Sequence, residues 1–126
     1  MSDQVKQIVA AFAKRLDGRD WTGLADLLHP DVVYELPQTH ERIRGRDRYI
    51  TFNQEYPGEW QIDPVLILGD ERDGSLLFRW EVGDAAGGQL SIAYFEVDDG
   101  LITKITDFWP EPYEPPPGRE HLTERW

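Results

Sequence analysis

The chain contains no cysteine. That excludes disulfides, thiolate nucleophiles and cysteine-ligated zinc, and it fits a cytoplasmic protein with no need for oxidative folding. No stretch approaches the roughly 18 apolar residues of a membrane span. The opening Met1-Ser2-Asp3-Gln4-Val5-Lys6 has no basic segment followed by an apolar run, so no secretory signal is expected. Positive charge is also scarce. Thirteen Lys and Arg against 24 Asp and Glu leave a formal net charge of −11. That balance repels phosphate backbones and anionic bilayers, so neither nucleic acid nor membrane is an expected partner. Its ordinary role is solubility.

What is present suffices for one domain with a real core: 126 residues, 40% of them hydrophobic. Val5, Ile8, Val9, Phe12 and Leu16 form one apolar stripe at helical spacing, and Gly18 is a natural stop. Asp20 can cap a second helix whose buried side is Trp21, Leu24, Ala25, Leu27 and Leu28, ending at Pro30. Val32 to Leu36 reads as a short strand and Gln38 to Gly45 as polar loop. A third helix is expected over about Arg46 to Tyr56, closed by Pro57-Gly58. The pattern then changes to strands at Trp60–Leu68, Leu76–Val82, Leu90–Val97 and Leu101–Trp109. Turns are expected at Asp70–Gly74, Asp84–Gly88 and Asp98-Asp99-Gly100, the last a strong hairpin signal. Helices early and a strand meander late argue α+β with an antiparallel sheet. The tail from Pro110 holds five of the nine prolines and should be extended, with a short helical turn over Glu120–Trp126. The expected organisation is a domain over 1–109 and a Pro-rich tail over 110–126.

Three segments carry a family resemblance. They are Asp20-Trp21-x-x-Leu24 leading to His29-Pro30-Asp31-Val32-Val33, the Gly45-Arg46-Asp47 start of the third helix, and the hairpin Phe95-Glu96-Val97-Asp98-Asp99-Gly100-Leu101-Ile102 running on to Asp107-Phe108-Trp109. In this order they resemble the nuclear transport factor 2-like superfamily, SnoaL-like group, over about residues 4 to 109. The resemblance implies a cone-shaped α+β barrel: three N-terminal helices packed in a curved, mixed but mostly antiparallel sheet around a small-molecule pocket. It is not specific for activity, because this fold hosts cyclases, isomerases, epoxide hydrolases and non-enzymatic binders.

Asp107 is the first candidate for chemistry. It shares a strand face with Ile105 and Trp109, and a carboxylate between large apolar groups has a raised pKa suited to acid–base work. The resemblance points the same way: limonene epoxide hydrolase-like members use an aspartate at this place, and SnoaL-like cyclases a pocket aspartate as base. The plainer alternative is a strand-end aspartate bonded to local backbone or an arginine. Arg79 and Glu81 share a face, and their spacing resembles the Arg-x-Asp pair of limonene epoxide hydrolase. If Leu76, Phe78, Trp80 and Val82 line the pocket instead, they are a surface pair. Tyr34 and Glu35 must face opposite ways, and Tyr34 could donate to a ligand oxygen. Matching ketosteroid isomerase on Pro37 puts apolar Leu36 where that family's base would be. Trp60, Trp80, Trp109, Tyr49, Phe52, Tyr56, Tyr94 and Phe95 supply core packing and a pocket lining. His29, His40 and His121 do not converge, so no metal or cofactor is expected. Arg42, Arg44, Arg46 and Arg48 approach the start of the third helix, where a solvated face competes with an anion site.

The expected function is binding of a small lipophilic molecule with cofactor-independent acid–base chemistry, Asp107, Tyr34, Arg79 and Glu81 being the catalytic candidates. A non-catalytic binder and an assembly module are the alternatives. A homodimer through the outer sheet face suits all three. The tail could cross the pocket mouth as a lid, or strap onto the outer sheet or a partner.

Overall fold

The apolar stripe of the first segment becomes helix α1, Gln4–Asp17, which buries Val5, Ile8, Val9, Phe12, Ala13 and Leu16. The protein is described by a computed structural model over residues 3–83 and 88–126. The far end of α1 is pinned to the sheet: Asp17 accepts from the Ile62 N–H at 2.8 Å, and the Arg19 guanidinium lies over the Trp60 ring, 3.5 Å from its centroid. Asp20 caps the short helix α2, Trp21–Ala25, accepting from the Gly23 N–H at 3.0 Å.

This second helix is shorter than its apolar residues suggest. Strand β1 already begins at Leu28 and runs to Leu36, so His29 and Pro30 belong to a strand rather than to a helix end. Pro30 has no N–H to give a ladder, and it falls inside the register irregularity between Leu28 and Val33. His29 Nδ1 accepts from the Asp31 N–H at 3.0 Å. The expected polar loop after Gln38 is likewise corrected: Glu41–Arg44 is strand β2, paired antiparallel with β1. Three of its four residues are charged or exposed, which is why its alternation is hard to see. Helix α3, Arg46–Glu55, follows Gly45, whose φ of 101° favours glycine.

Four strands then meander: β3 Trp60–Gly69, β4 Asp73–Val82, β5 Gln89–Asp98 and β6 Leu101–Phe108. Asp70 closes the first turn by accepting from the N–H groups of Arg72 and Asp73, both at 2.8 Å. The expected turn at Asp84–Gly88 lies, but for Gly88, outside the described residues. Asp99 and Gly100 both have positive φ, the geometry of a two-residue hairpin loop that Asp-Gly favours. The sheet order is β2-β1-β6-β5-β4-β3, antiparallel throughout except for β1 beside β6. It forms an α+β architecture in which the sheet curves around α1 and α3. Its inner face carries Tyr34, Ile62, Leu76, Phe78, Ala93, Phe95 and Ile105 into one buried core with the α1 stripe. From Trp109 to Pro116 the chain forms neither helix nor strand, and the anticipated helical turn near the end is one backbone bond, Leu122 N–H to the Arg119 carbonyl at 3.0 Å. Among the described residues no helix is long and apolar enough to cross a membrane.

Candidate active site

The core does not fill the open end of the curved sheet. A cavity of about 550 Å³ remains there, within the size range of small-molecule sites. Period-two alternation decides its lining. On β4 the residues Leu76, Phe78 and Trp80 face inward, while Arg79 is exposed on the outer face. On β1, Tyr34 and Leu36 face in, and Glu35 faces out to pair with Arg42 at 2.6 Å and Lys104 at 3.1 Å. Those two cations hold the Glu35 carboxyl below its usual range.

Asp107 sits on the wall formed by β6. It is 8% exposed, and it is the one charged side chain among the fully buried described residues. The Tyr34 hydroxyl donates to its Oδ2. Burial pushes the Asp107 carboxyl up to about 6, and hydrogen bonds from Tyr34 and the Trp109 side chain hold it from rising further. The two phenols beside it are shifted in the same direction, further from ionisation. Burial and then the Asp107 charge raise Tyr34 well above the ordinary tyrosine value, and the same two causes raise Tyr49. Both therefore stay protonated donors near neutral pH.

Aromatic rings enclose this group. Tyr34 packs on Tyr49 and Phe52 with centroids 4.7 and 5.6 Å apart. Trp109 stands edge-on to Phe78 at 5.5 Å and to Trp80 at 5.3 Å. Tyr56 meets Phe52 and Trp80 in the same manner. Such edge-to-face contacts suit the ring quadrupoles and hold the wall rigid. Trp60, Ile62, Phe12, Leu16 and Ala93 complete the apolar part, and Asn53, Gln38, Thr39, Glu41 and Glu111 supply its polar atoms.

The cavity thus brings together Asp107, Tyr34, Leu36, Tyr49, Phe52, Tyr56, Trp60, Trp80 and Trp109. It does not include four other candidates, of which Tyr94 is exposed on the outer face of β5, edge-on to Phe108. Phe95 is wholly buried against Phe12, with centroids 4.9 Å apart, and belongs to the core rather than the lining. Arg79 and Glu81 do not line the cavity either, because the apolar alternate residues of β4 take its inner face. The Arg-x-Asp arrangement is therefore not assembled around Asp107. Gln38, Thr39, Glu41 and Glu111 line the cavity without having been singled out. Glu41 shares a face with Ile43, a signal readable only once β2 is recognised as a strand. Glu111 lies in the tail, where proline masks any period. Among the described residues no group of three or more His, Cys, Asp or Glu is placed to hold a metal.

Comparison with known proteins agrees with this architecture. A family model described as a SnoaL-like domain matches residues 9–105. A solved structure from Kribbella flavida, provisionally named a ketosteroid isomerase, is 46% identical, with 99% of this chain and 91% of that one covered and a TM-score of 0.94. An LEH-like epoxide hydrolase from M. tuberculosis is 26% identical over 86% of this chain and 84% of its own, with a TM-score of 0.73. A Xanthomonas campestris protein provisionally named a polyketide cyclase shares the fold at 21% identity, covering 86% and 93% of the two chains, with a TM-score of 0.69. No protein of curated function matches the chain.

Proposed function

This chain belongs to the SnoaL-like domain family, and from that premise we propose that it is a cofactor-independent acid–base enzyme acting on a small lipophilic molecule. One observation carries the reading: a buried carboxylate, Asp107, bonded to the Tyr34 hydroxyl on the wall of an aromatic cavity. A base with a pKa about 6 is mostly ionised at neutral pH yet still basic enough to accept a proton.

The reaction class we favour is proton transfer at carbon beside a carbonyl, as in isomerisation or cyclisation. Asp107 takes the proton, its electron pair moves into the carbonyl, and a negative charge develops on the substrate oxygen. Protonation of Asp107 releases Tyr34 from its strongest acceptor, so that the phenol can donate to that oxygen as charge builds. Apolar rings exclude the water that would otherwise compete. The Kribbella protein's provisional name fits this class. Epoxide hydrolysis is less well supported, because Arg79 and Glu81 lie away from the cavity and the second acid and the arginine that it uses have no counterpart beside Asp107.

Three further assignments belong to this reading. Residues 1–109 act as the domain and 110–126 as a tail over the cavity mouth, where Glu111 already sits. Two copies pair through the outer sheet face, where Leu66, Leu77, Ile92 and Phe108 stand in register across four strands. A chain without cysteine suits the cytoplasm.

The test is a thermal-shift screen of lipophilic ketones, lactones, epoxides and steroids against the wild type and Asp107→Asn. A compound bound by both and converted only by the wild type supports the enzyme. Binding by both with conversion by neither makes the chain a carrier or sensor.

A further inference from the structure

Resting on that reading for the location of the site, we propose that the cavity selects by charge, taking an uncharged or amine-bearing lipophile and rejecting carboxylates, sulfonates and phosphates. The acid and base groups of its lining are all of one sign. Asp107 lies within, Glu41 and Glu111 also line it, and among the described residues no Lys, Arg or His joins them. The six residues outside the description include no basic residue either.

The same alternation that builds the lining turns the cations away. Glu41 and Ile43 share one face of β2, and Arg42 lies on the other, bound to Glu35 together with Lys104. Arg79 faces outward from β4. Arg15 donates to the Gly23 carbonyl at 2.6 Å, and Arg19 donates to the carbonyls of Asp17 and Trp60. Arg46 reaches the Leu28 carbonyl at 3.5 Å. Asp107 therefore keeps its charge in an apolar enclosure with hydrogen bonds but no counter-ion. A second anion entering that enclosure meets the first at reduced dielectric, where repulsion is several times stronger than in water. Glu41 and Glu111 are exposed, so each acts through a nearly aqueous medium. At a separation of about 7 Å each is worth roughly a threefold penalty on an anion, and the pair about tenfold.

A matched pair of dyes tests this without knowledge of the natural substrate. N-phenyl-1-naphthylamine is uncharged, and 8-anilinonaphthalene-1-sulfonate adds one sulfonate to the same skeleton. A signal counts as binding in the cavity if Ala93→Phe, which fills it from β5, removes it. The expected result is neutral-dye binding with the sulfonate well over tenfold weaker, a ratio that narrows about tenfold in the Glu41→Gln/Glu111→Gln double variant. Asp107→Asn should narrow it further. Equal or tighter binding of the sulfonate by the wild type overturns the proposal, as does a ratio that none of the three substitutions changes. If neither dye enters, the cavity reading itself fails and takes this inference with it, a different outcome from loss of selectivity alone.

Discussion

Replacing Asp107 by asparagine should abolish turnover and stabilise the protein, and the second effect should depend on pH in a defined way. Burial raises the Asp107 carboxyl from 3.8 to about 6, about two units, and at about 1.4 kcal/mol per unit that amounts to about 3 kcal/mol. The folded chain then holds a proton that the unfolded chain has released between pH 3.8 and about 6. Stability is full below the lower value and falls as pH rises through the window. The amide carries no charge, so the variant escapes that loss. Its NH₂ group faces a cavity side that offered donors to a carboxylate, which takes back part of the gain, leaving about 1–3 kcal/mol. For a chain of this length that is roughly 3–15 °C in Tm. Thermal melts of both proteins from pH 4 to pH 8 test the claim. The gap should be widest above pH 6 and close toward pH 4. Glu35, Asp70 and Glu120, whose carboxyls are held low by hydrogen bonds, titrate alike in both proteins and cancel from the difference. A variant that melts lower than wild type at pH 8, or a gap of constant size, would refute the account of Asp107 as a desolvated carboxylate.

Tyr34→Phe removes a donor to the charged form of Asp107, so the carboxyl should rise above about 6 by about 1–2 units; a carbon-13 titration of the side chain, or the acid limb of the pH–rate profile, reads the shift. Deleting residues 111–126 should weaken ligand binding several-fold while moving Tm by no more than a few degrees; the reverse pattern makes the tail a structural strap. Leu66→Asp, at a residue 49% exposed on the outer sheet face, should halve the sedimenting mass with little loss of monomer stability, and an unchanged mass places any dimer contact elsewhere.

The sequence carried the fold well wherever a period was long or a turn chemically specific. The α1 stripe, the Asp20 cap and the Asp99-Gly100 hairpin are local signals, and each matches the element found. Boundaries failed where one residue serves two patterns. Leu28 continues the apolar side of α2 but opens β1, and Pro30 sits in that strand where the register with β6 is irregular and no β2 residue pairs with it. For the site, Asp107 could be suspected from its flanking Ile105 and Trp109, since all three share a face in a strand. Its partner could not be derived in the same way. Tyr34 lies 73 residues away, and strand neighbours that are not consecutive leave no local trace. Phe95 illustrates the opposite limit: alternation gives the inner face of β5, but not how far along that face the core ends and the cavity begins.

The one parallel pairing explains why an acid can be kept dry at the end of a strand. Tyr34 lies opposite Ile105 in the β1–β6 ladder, so its ring points inward and its hydroxyl reaches the residue two further along, Asp107. The β1–β6 ladder has no pair beyond Glu35 and Thr106, and the Leu36 and Pro37 carbonyls turn instead to the N–H groups of Thr39 and His40 in the turn that follows, both at 3.3 Å. The Trp109 N–H would be left without a rung. The Gln38 side-chain carbonyl takes it instead, and on the opposite side Gln89 donates to the Pro110 carbonyl. Two amide side chains, Gln38 from the β1–β2 turn and Gln89 from the first position of β5, thereby fix the backbone just past Asp107, next to the Trp109 ring that packs on Phe78 and Trp80. Those two bonds hold the chain to the sheet past Phe108, and with it the Trp109 side chain that hydrogen-bonds Asp107. The raised carboxyl is on this view a property of how β6 ends, not only of what surrounds Asp107 along the strand.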